Sequence, residues 1–155
     1  MSSRTHHAGC VIIGTFGILI RGASGSGKSA LADAMLETAR RNGNFTALVS
    51  DDRTILEVRE GALIASAPEQ IRGLVEIRGV GICGRRTEPE ARVALVLDLV
   101  PPSDVERMPE NLPDPVLLEG VKVPRVKIPE RQCHASIGIA RWALRGLFPN
   151  APDYI

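Results

Sequence analysis

The chain carries almost no net charge: among 155 residues, 19 Lys and Arg stand against 18 Asp and Glu, leaving +1 at neutral pH. A global field that would hold it to nucleic acid or to an acidic membrane surface is thereby excluded, and any partner must be recognised by a local patch. Cysteine is sparse as well. Cys10, Cys83 and Cys133 are widely spaced, odd in number and without a CxxC pair, which argues against a disulfide framework or a zinc site and predicts reduced thiols in a cytosolic protein. No hydrophobic run reaches the roughly 20 residues of a membrane-spanning helix. The longest, from Ala8 to Ile20, is interrupted by Gly14 and Gly17 and runs into GASGSGKS without a small-residue cleavage site, so it reads as structure and not as a targeting signal. Repeats, heptads and low-complexity tracts are missing too. With 44% hydrophobic residues, the composition predicts a single domain over residues 1–155, a size that buries roughly 68–70% of the unfolded surface.

Aliphatic and β-branched residues from Cys10 to Ile13 and from Gly17 to Ile20 predict two strands, with Gly14, Thr15 and Phe16 as the turn. After Lys28 the period changes. Leu31, Ala34, Met35, Thr38 and Ala39 recur at helical spacing, Arg40 and Arg41 suit the C-terminal pole, and Asn42-Gly43 stops a helix of about four turns. FTALVSDD predicts a strand ending in two carboxylates, followed by a hairpin of RTILEVR and ALIASAP that turns at Glu60-Gly61. LVEIRGVGI and ARVALVLDLV predict two further strong strands. Six of the eleven prolines fall between Pro101 and Pro124, which predicts an exposed loop. SIGIARWALRGLF predicts a terminal helix with Ile137, Ala140, Ala143 and Leu144 on one face and Trp142 fitting less well, and APDYI an irregular tail.

Chemistry concentrates at Gly22, Gly27, Lys28 and Ser29, which match G-x-x-x-x-G-K-[ST] between an apolar strand and an amphipathic helix. Glycines let the backbone curl so that its N–H groups face an anion, and the helix N-terminus adds positive potential. The motif predicts a P-loop: Lys28 reaches the β- and γ-phosphates of a nucleotide and the Ser29 hydroxyl ligates magnesium. The expected fold class is therefore α/β, a strand-rich P-loop domain with one helix after the loop and another at the C-terminus. A second carboxylate site is needed, and two places offer one: the Asp51-Asp52 pair after FTALVS, and Asp98 near the end of ARVALVLDLV. Asp98 also reads simply as a polar strand end entering Pro101-Pro102. In an extended segment Asp51 and Asp52 point to opposite faces, so only one would face the phosphates, and parity does not choose between them.

In order, His7-Ala8, GASGSGKS, LVSDD and LVEIRGVGI resemble the HG, GDSGIGKS, LVADD and LLEIRGLGI blocks of the HPr kinase/phosphorylase catalytic domain, over about residues 7–147. The likeness is greatest to the short alphaproteobacterial form that lacks the N-terminal domain. It implies an ATP- and magnesium-dependent protein serine kinase acting on HPr, the small phosphocarrier protein, in a cytoplasmic homo-oligomer, a hexamer in this family, with no nucleic acid or membrane partner. Nucleotide phosphate binding falls to Gly22, Ala23, Ser24, Gly25, Ser26, Gly27, Lys28 and Ser29, and metal binding to Ser29 and Glu76. The resemblance makes Asp52 the general base that takes the target serine's proton, with functional residues also at His7 and Arg107. A serine hydroxyl is a poor nucleophile near neutrality, so a positioned carboxylate is chemically apt.

One segment departs from the family. Where the longer enzymes carry IPVRPGRN, tied to phosphorylase activity, this chain has IPERQCH from Ile128 to His134, so the implied reverse reaction is weak. Two other readings stand beside the protein kinase: a small-molecule P-loop kinase, for which Arg85, Arg86 and Arg92 would be the lid cations, and a non-catalytic nucleotide-binding regulatory module.

Overall fold

The computed structural model describes residues 3–110, 112 and 114–155. In chain order its elements begin with β1 (Arg4–His6), β2 (Ala8–Ile13), β3 (Phe16–Gly22), α1 (Lys28–Arg41), β4 (Thr46–Ser50), β5 (Thr54–Arg59) and β6 (Ala62–Ser66). There follow β7 (Leu74–Ile77), β8 (Gly81–Gly84), β9 (Glu90–Val100), β10 (Val116–Leu118), β11 (Val121–Val123), β12 (Arg125–Pro129) and α2 (Cys133–Leu147).

Two stretches of chain, each bent once at the same level, set the architecture. β1 and β2 are separated only by His7, and β4 and β5 only by residues 51–53; the two stretches run antiparallel, with Cys10 opposite Ser50 and His6 opposite Thr54. The main sheet runs β1-β5-β6-β9-β3-β2-β4, with β12 also on β9. Because β1 continues into β2, the path β2-β3-β9-β6-β5-β1 returns to the stretch on which it began. The second core cluster fills this ring with Cys10, Leu19, Leu56, Leu63, Val93 and Val96, and Leu118 and Val123 of the β10–β11 hairpin join it. The first cluster lies on the other face of β2, β3, β9 and β12, where α1 and α2 pack.

Alternation along the strands explains this division. In β3, Ile18 and Ile20 face the helices and Leu19 faces the ring; in β9, Leu95 and Leu97 face the helices and Val96 the ring. α1 buries Leu31, Met35, Leu36 and Ala39, and each of the larger side chains contributes about 1.5–3 kcal/mol by leaving water. Cys10 lies wholly in the ring core, and burial pushes its thiol up to about 12, so it is an unreactive space-filler. All three cysteines are free.

Three expectations change. The strand after Gly14-Thr15 begins already at Phe16, because its ring stacks on Phe148 at 4.6 Å between centroids. Gly14 itself takes φ +62°, and a Cβ there would meet Tyr154 at 2.3 Å, so glycine is required twice over. LVEIRGVGI is not one strong strand of the main sheet. Gly79 and Gly81, both at positive φ, fold it back into the separate β7–β8 hairpin, leaving Val80 and Ile82 exposed. The segment from Pro101 to Pro124 is exposed only in its first part: VLLEGVKV forms β10–β11, turning at Glu119-Gly120, and buries Leu118 and Val123. Asn111 and Pro113 of that segment lie outside the described residues. Among the described residues no helix is long and apolar enough to cross a membrane.

Candidate active site

β3 delivers the chain into the loop at Gly22, where space is the constraint: a Cβ would lie 2.5 Å from Ser26 Oγ and 3.0 Å from Leu99 Cβ. Gly25 and Gly27 take φ +78° and +94°, and the Ser26 N–H closes the turn on the Ala23 carbonyl at 3.0 Å. Ala23, Ser24 and Gly25 form the exposed apex, whereas Ser26 and Lys28 are buried. Lys28 Nζ donates to the carbonyls of Gly22 and Ala23 at 3.0 and 3.1 Å, which offsets the burial of its charge. α1 starts without a side-chain cap or an acidic residue in its first turn, so its leading N–H groups and dipole are available to phosphate oxygens.

Beside the loop, Ser29 Oγ donates to Asp51 Oδ1 at 2.7 Å. A hydroxyl and a carboxylate are hard oxygen donors of the kind magnesium takes alongside nucleotide phosphates, so the pair fits that ion. Glu76 stands exposed on β7 opposite Ile82, and among the described residues no hydrogen bond or ion pair joins it to Ser29 or Asp51. Nor is there, among those residues, a cluster of three side chains arranged to hold a metal by themselves.

The assumption of an extended Asp51-Asp52 segment does not hold. β4 ends at Ser50, the Arg53 N–H turns back to the Asp51 carbonyl at 2.8 Å, and Asp52 takes φ +64°. With alternation broken, both carboxylates are used: Asp51 meets Ser29, and Asp52 Oδ1 lies 2.6 Å from His7 Nε2. A left-handed conformation costs an ordinary residue about 1 kcal/mol, and a buried clip holds it. Ser50 Oγ and Thr54 Oγ1 are 2.5 Å apart, and Thr54 Oγ1 donates to the Ala8 carbonyl at 2.7 Å. His7 and Asp52 remain about half exposed, open to a large partner.

Other candidates lie elsewhere. Asp98 faces the ring side of β9, gripped by Arg21 at 2.7 and 2.8 Å and approached by Arg125 at 3.6 Å. The hydrogen bond to Asp98 outweighs partial burial and holds the Arg21 guanidinium above its ordinary pKa. Arg107 lines a groove of about 1220 Å³ between the proline-rich segment and α2, together with Trp142; among the described residues nothing links it to His7 or Asp52. Arg85 pairs with Asp33 of α1, Arg86 stacks over Phe45 at 4.8 Å, and Arg92 is exposed on β9, so these three form no lid over the loop.

Residues 1–145 match the HPr Serine kinase C-terminal domain family. The chain belongs to that family. It is 34% identical to an HPr kinase/phosphorylase of Limosilactobacillus reuteri over 134 residues, 79% of this chain and 40% of the relative. It is 37% identical to one from Caldicellulosiruptor bescii over 142 residues, 82% of this chain and 42% of the relative. It thus spans about 40% of the length of these curated relatives. Among solved structures, the Hpr(Ser) kinase/phosphatase from Coxiella burnetii matches with a TM-score of 0.74 and 26% identity, covering 92% of this chain and 95% of that one. For this HPr serine kinase C-terminal domain, the sequence singled out the loop by its local motif and His7 by resemblance. The contact of Asp51 with Ser29 had no local signal beyond the doubled carboxylate.

Proposed function

We propose that the chain is an ATP-dependent protein kinase that phosphorylates a serine of HPr, with magnesium held by Ser29 and Asp51. One observation carries this reading: Asp51 and Asp52, adjacent in sequence, serve two partners, so a phosphate-side carboxylate and an exposed carboxylate–histidine pair sit side by side at the mouth of one P-loop. Magnesium there would neutralise charge on the phosphate oxygens. The loop N–H groups and Lys28 hold the β- and γ-phosphates. Asp52, oriented by His7, accepts the serine hydroxyl proton while the serine oxygen bonds to the γ-phosphorus and the bond to the β-γ bridging oxygen breaks, releasing ADP. Half-exposure of His7 and Asp52 suits a protein substrate, which brings its own surface to exclude water.

In phosphorolysis, a protonated Asp52 would give its proton to the serine oxygen while inorganic phosphate attacks the phosphoserine phosphorus, the phosphorus–serine oxygen bond breaks and pyrophosphate is released. IPERQCH places Glu130 next to Arg131, and a carboxylate there opposes a second anion, so phosphorolysis is the weaker direction. Glu76 and Arg107 would join the site only when substrate or a neighbouring subunit of a cytoplasmic oligomer brings them in. Incubation with ATP, magnesium and HPr, followed by mapping of the transferred phosphate, tests the reading. Phosphoserine on HPr is expected; transfer only to a small molecule, or nucleotide binding without transfer, would overturn it.

A further inference from the structure

We propose that Arg131 is a positioning residue that clasps the phosphate loop from outside and pre-shapes it for the nucleotide. This rests on the nucleotide-binding reading of the loop but not on the identity of the protein substrate. Arg131 lies in the short connection between β12 and α2 and takes φ +58°, a backbone conformation that a non-glycine residue adopts only under constraint. The connection is pinned on both sides of it. The Glu130 N–H donates to the Val100 carbonyl at 2.9 Å, and the buried Ser136 hydroxyl to the Pro129 carbonyl at 2.8 Å. From that anchored position Arg131 makes two bonds to the loop: its own N–H to the Ser26 carbonyl at 3.2 Å, and Nε–H to the Gly25 carbonyl at 3.0 Å.

Peptide planarity turns these outward bonds into an inward effect. In a trans peptide the carbonyl and the following N–H point in opposite directions. Drawing the Ser26 carbonyl toward Arg131 therefore aims the Gly27 N–H away from Arg131, toward the loop's interior. Drawing the Gly25 carbonyl outward likewise aims the Ser26 N–H back to the Ala23 carbonyl, the bond that closes the turn. Gly25 and Gly27, both at positive φ, are the loop residues with the most conformational freedom to lose on binding. Arg131 lies against both: a Cβ built on Gly25 would be 3.9 Å from its guanidinium, and one on Gly27 3.8 Å from its backbone nitrogen. Fixing these peptides before the nucleotide arrives removes part of the ordering cost of binding.

The test measures ADP, ATP and AMP affinities of the full chain by calorimetry for wild type, Arg131→Gly and Arg131→Lys. Glycine keeps the positive φ and the backbone bond while removing the guanidinium, and Arg131 is exposed, so the fold should tolerate it; lysine keeps the charge without the Nε donor. Loss of a hydrogen bond to a charged donor predicts about tenfold weaker ADP and ATP binding in Arg131→Gly. AMP, which lacks the β-phosphate cradled by the loop, should change less than about twofold. In turnover, KM for ATP should rise with kcat nearly constant. Arg131→Lys should remain weakened at physiological salt. ADP affinity within twofold of wild type in Arg131→Gly, an equal loss for AMP, or full recovery in Arg131→Lys would each overturn the clasp. A wild-type chain that binds no ADP would remove the clasp and the nucleotide reading together, whereas ADP binding without HPr phosphorylation would remove only the choice of substrate.

Discussion

Asp51 and Asp52 answer to different partners because one backbone residue leaves the extended region. Had β4 continued straight, one carboxylate would have pointed away from the loop; with Asp52 at φ +64°, Asp51 stays on Ser29 while Asp52 reaches His7. The two positions should therefore fail differently when each is neutralised at constant size. Asp52→Asn should bind ATP normally and lose turnover, since an amide cannot accept the serine proton; general-base contributions of about 10²–10⁴-fold set the scale. Asp51→Asn should instead raise the magnesium concentration needed for half-maximal rate, because a neutral amide is a poorer ligand for a hard cation. Titrating magnesium against rate in both variants checks the division. A magnesium shift in Asp52→Asn together with a pure turnover loss in Asp51→Asn would exchange the roles.

Elements were legible where one local signal dominated. α1 runs from Lys28 to Arg41 as its periodicity and the Asn42-Gly43 stop imply, since an amphipathic stripe and a C-terminal glycine act within the helix itself. β10–β11 was hidden by neighbouring prolines, and β7–β8 read as one strand because β-branched composition outweighed the glycines at positions 79 and 81. The site divides the same way. The P-loop is a contiguous motif, while the meeting of His7 with Asp52 depends on two distant stretches bending at the same level, a tertiary fact. The β10–β11 hairpin offers a test at this scale. Alternation buries Leu118, 7% exposed, in the ring core and turns Leu117, 64% exposed, to solvent. Leu118→Ala should lower unfolding free energy by about 2–5 kcal/mol, and Leu117→Ala by less than about 0.5 kcal/mol, both read from urea denaturation. Equal losses would mean that the hairpin does not pack into the ring core.

As a whole, the molecule sets two cores back to back across β2, β3 and β9, and the candidate site lies where the paired stretches bend out of that shared sheet. Such a corner can present loop, carboxylates and histidine to a large partner, but the molecule brings little long-range attraction to the encounter. Its net charge is +1, and several arginines are engaged in ion pairs: Arg85 with Asp33, Arg59 with Glu57 and Glu90, Arg141 and Arg145 with Asp153. Steering by a field requires uncompensated charge, and its reach is about the screening length, which shrinks from about 30 Å at 0.01 M salt to about 8 Å at 0.15 M. With charges paired at close range, little of the field survives to be screened. The second-order rate constant for the proposed phosphorylation of HPr should therefore fall less than about threefold across that salt range. Stopped-flow or quenched-flow rates at fixed magnesium measure it. A decline of tenfold or more would reveal a docking stripe, and Arg92, exposed on β9 opposite Ile64 of β6, would be the first residue to neutralise.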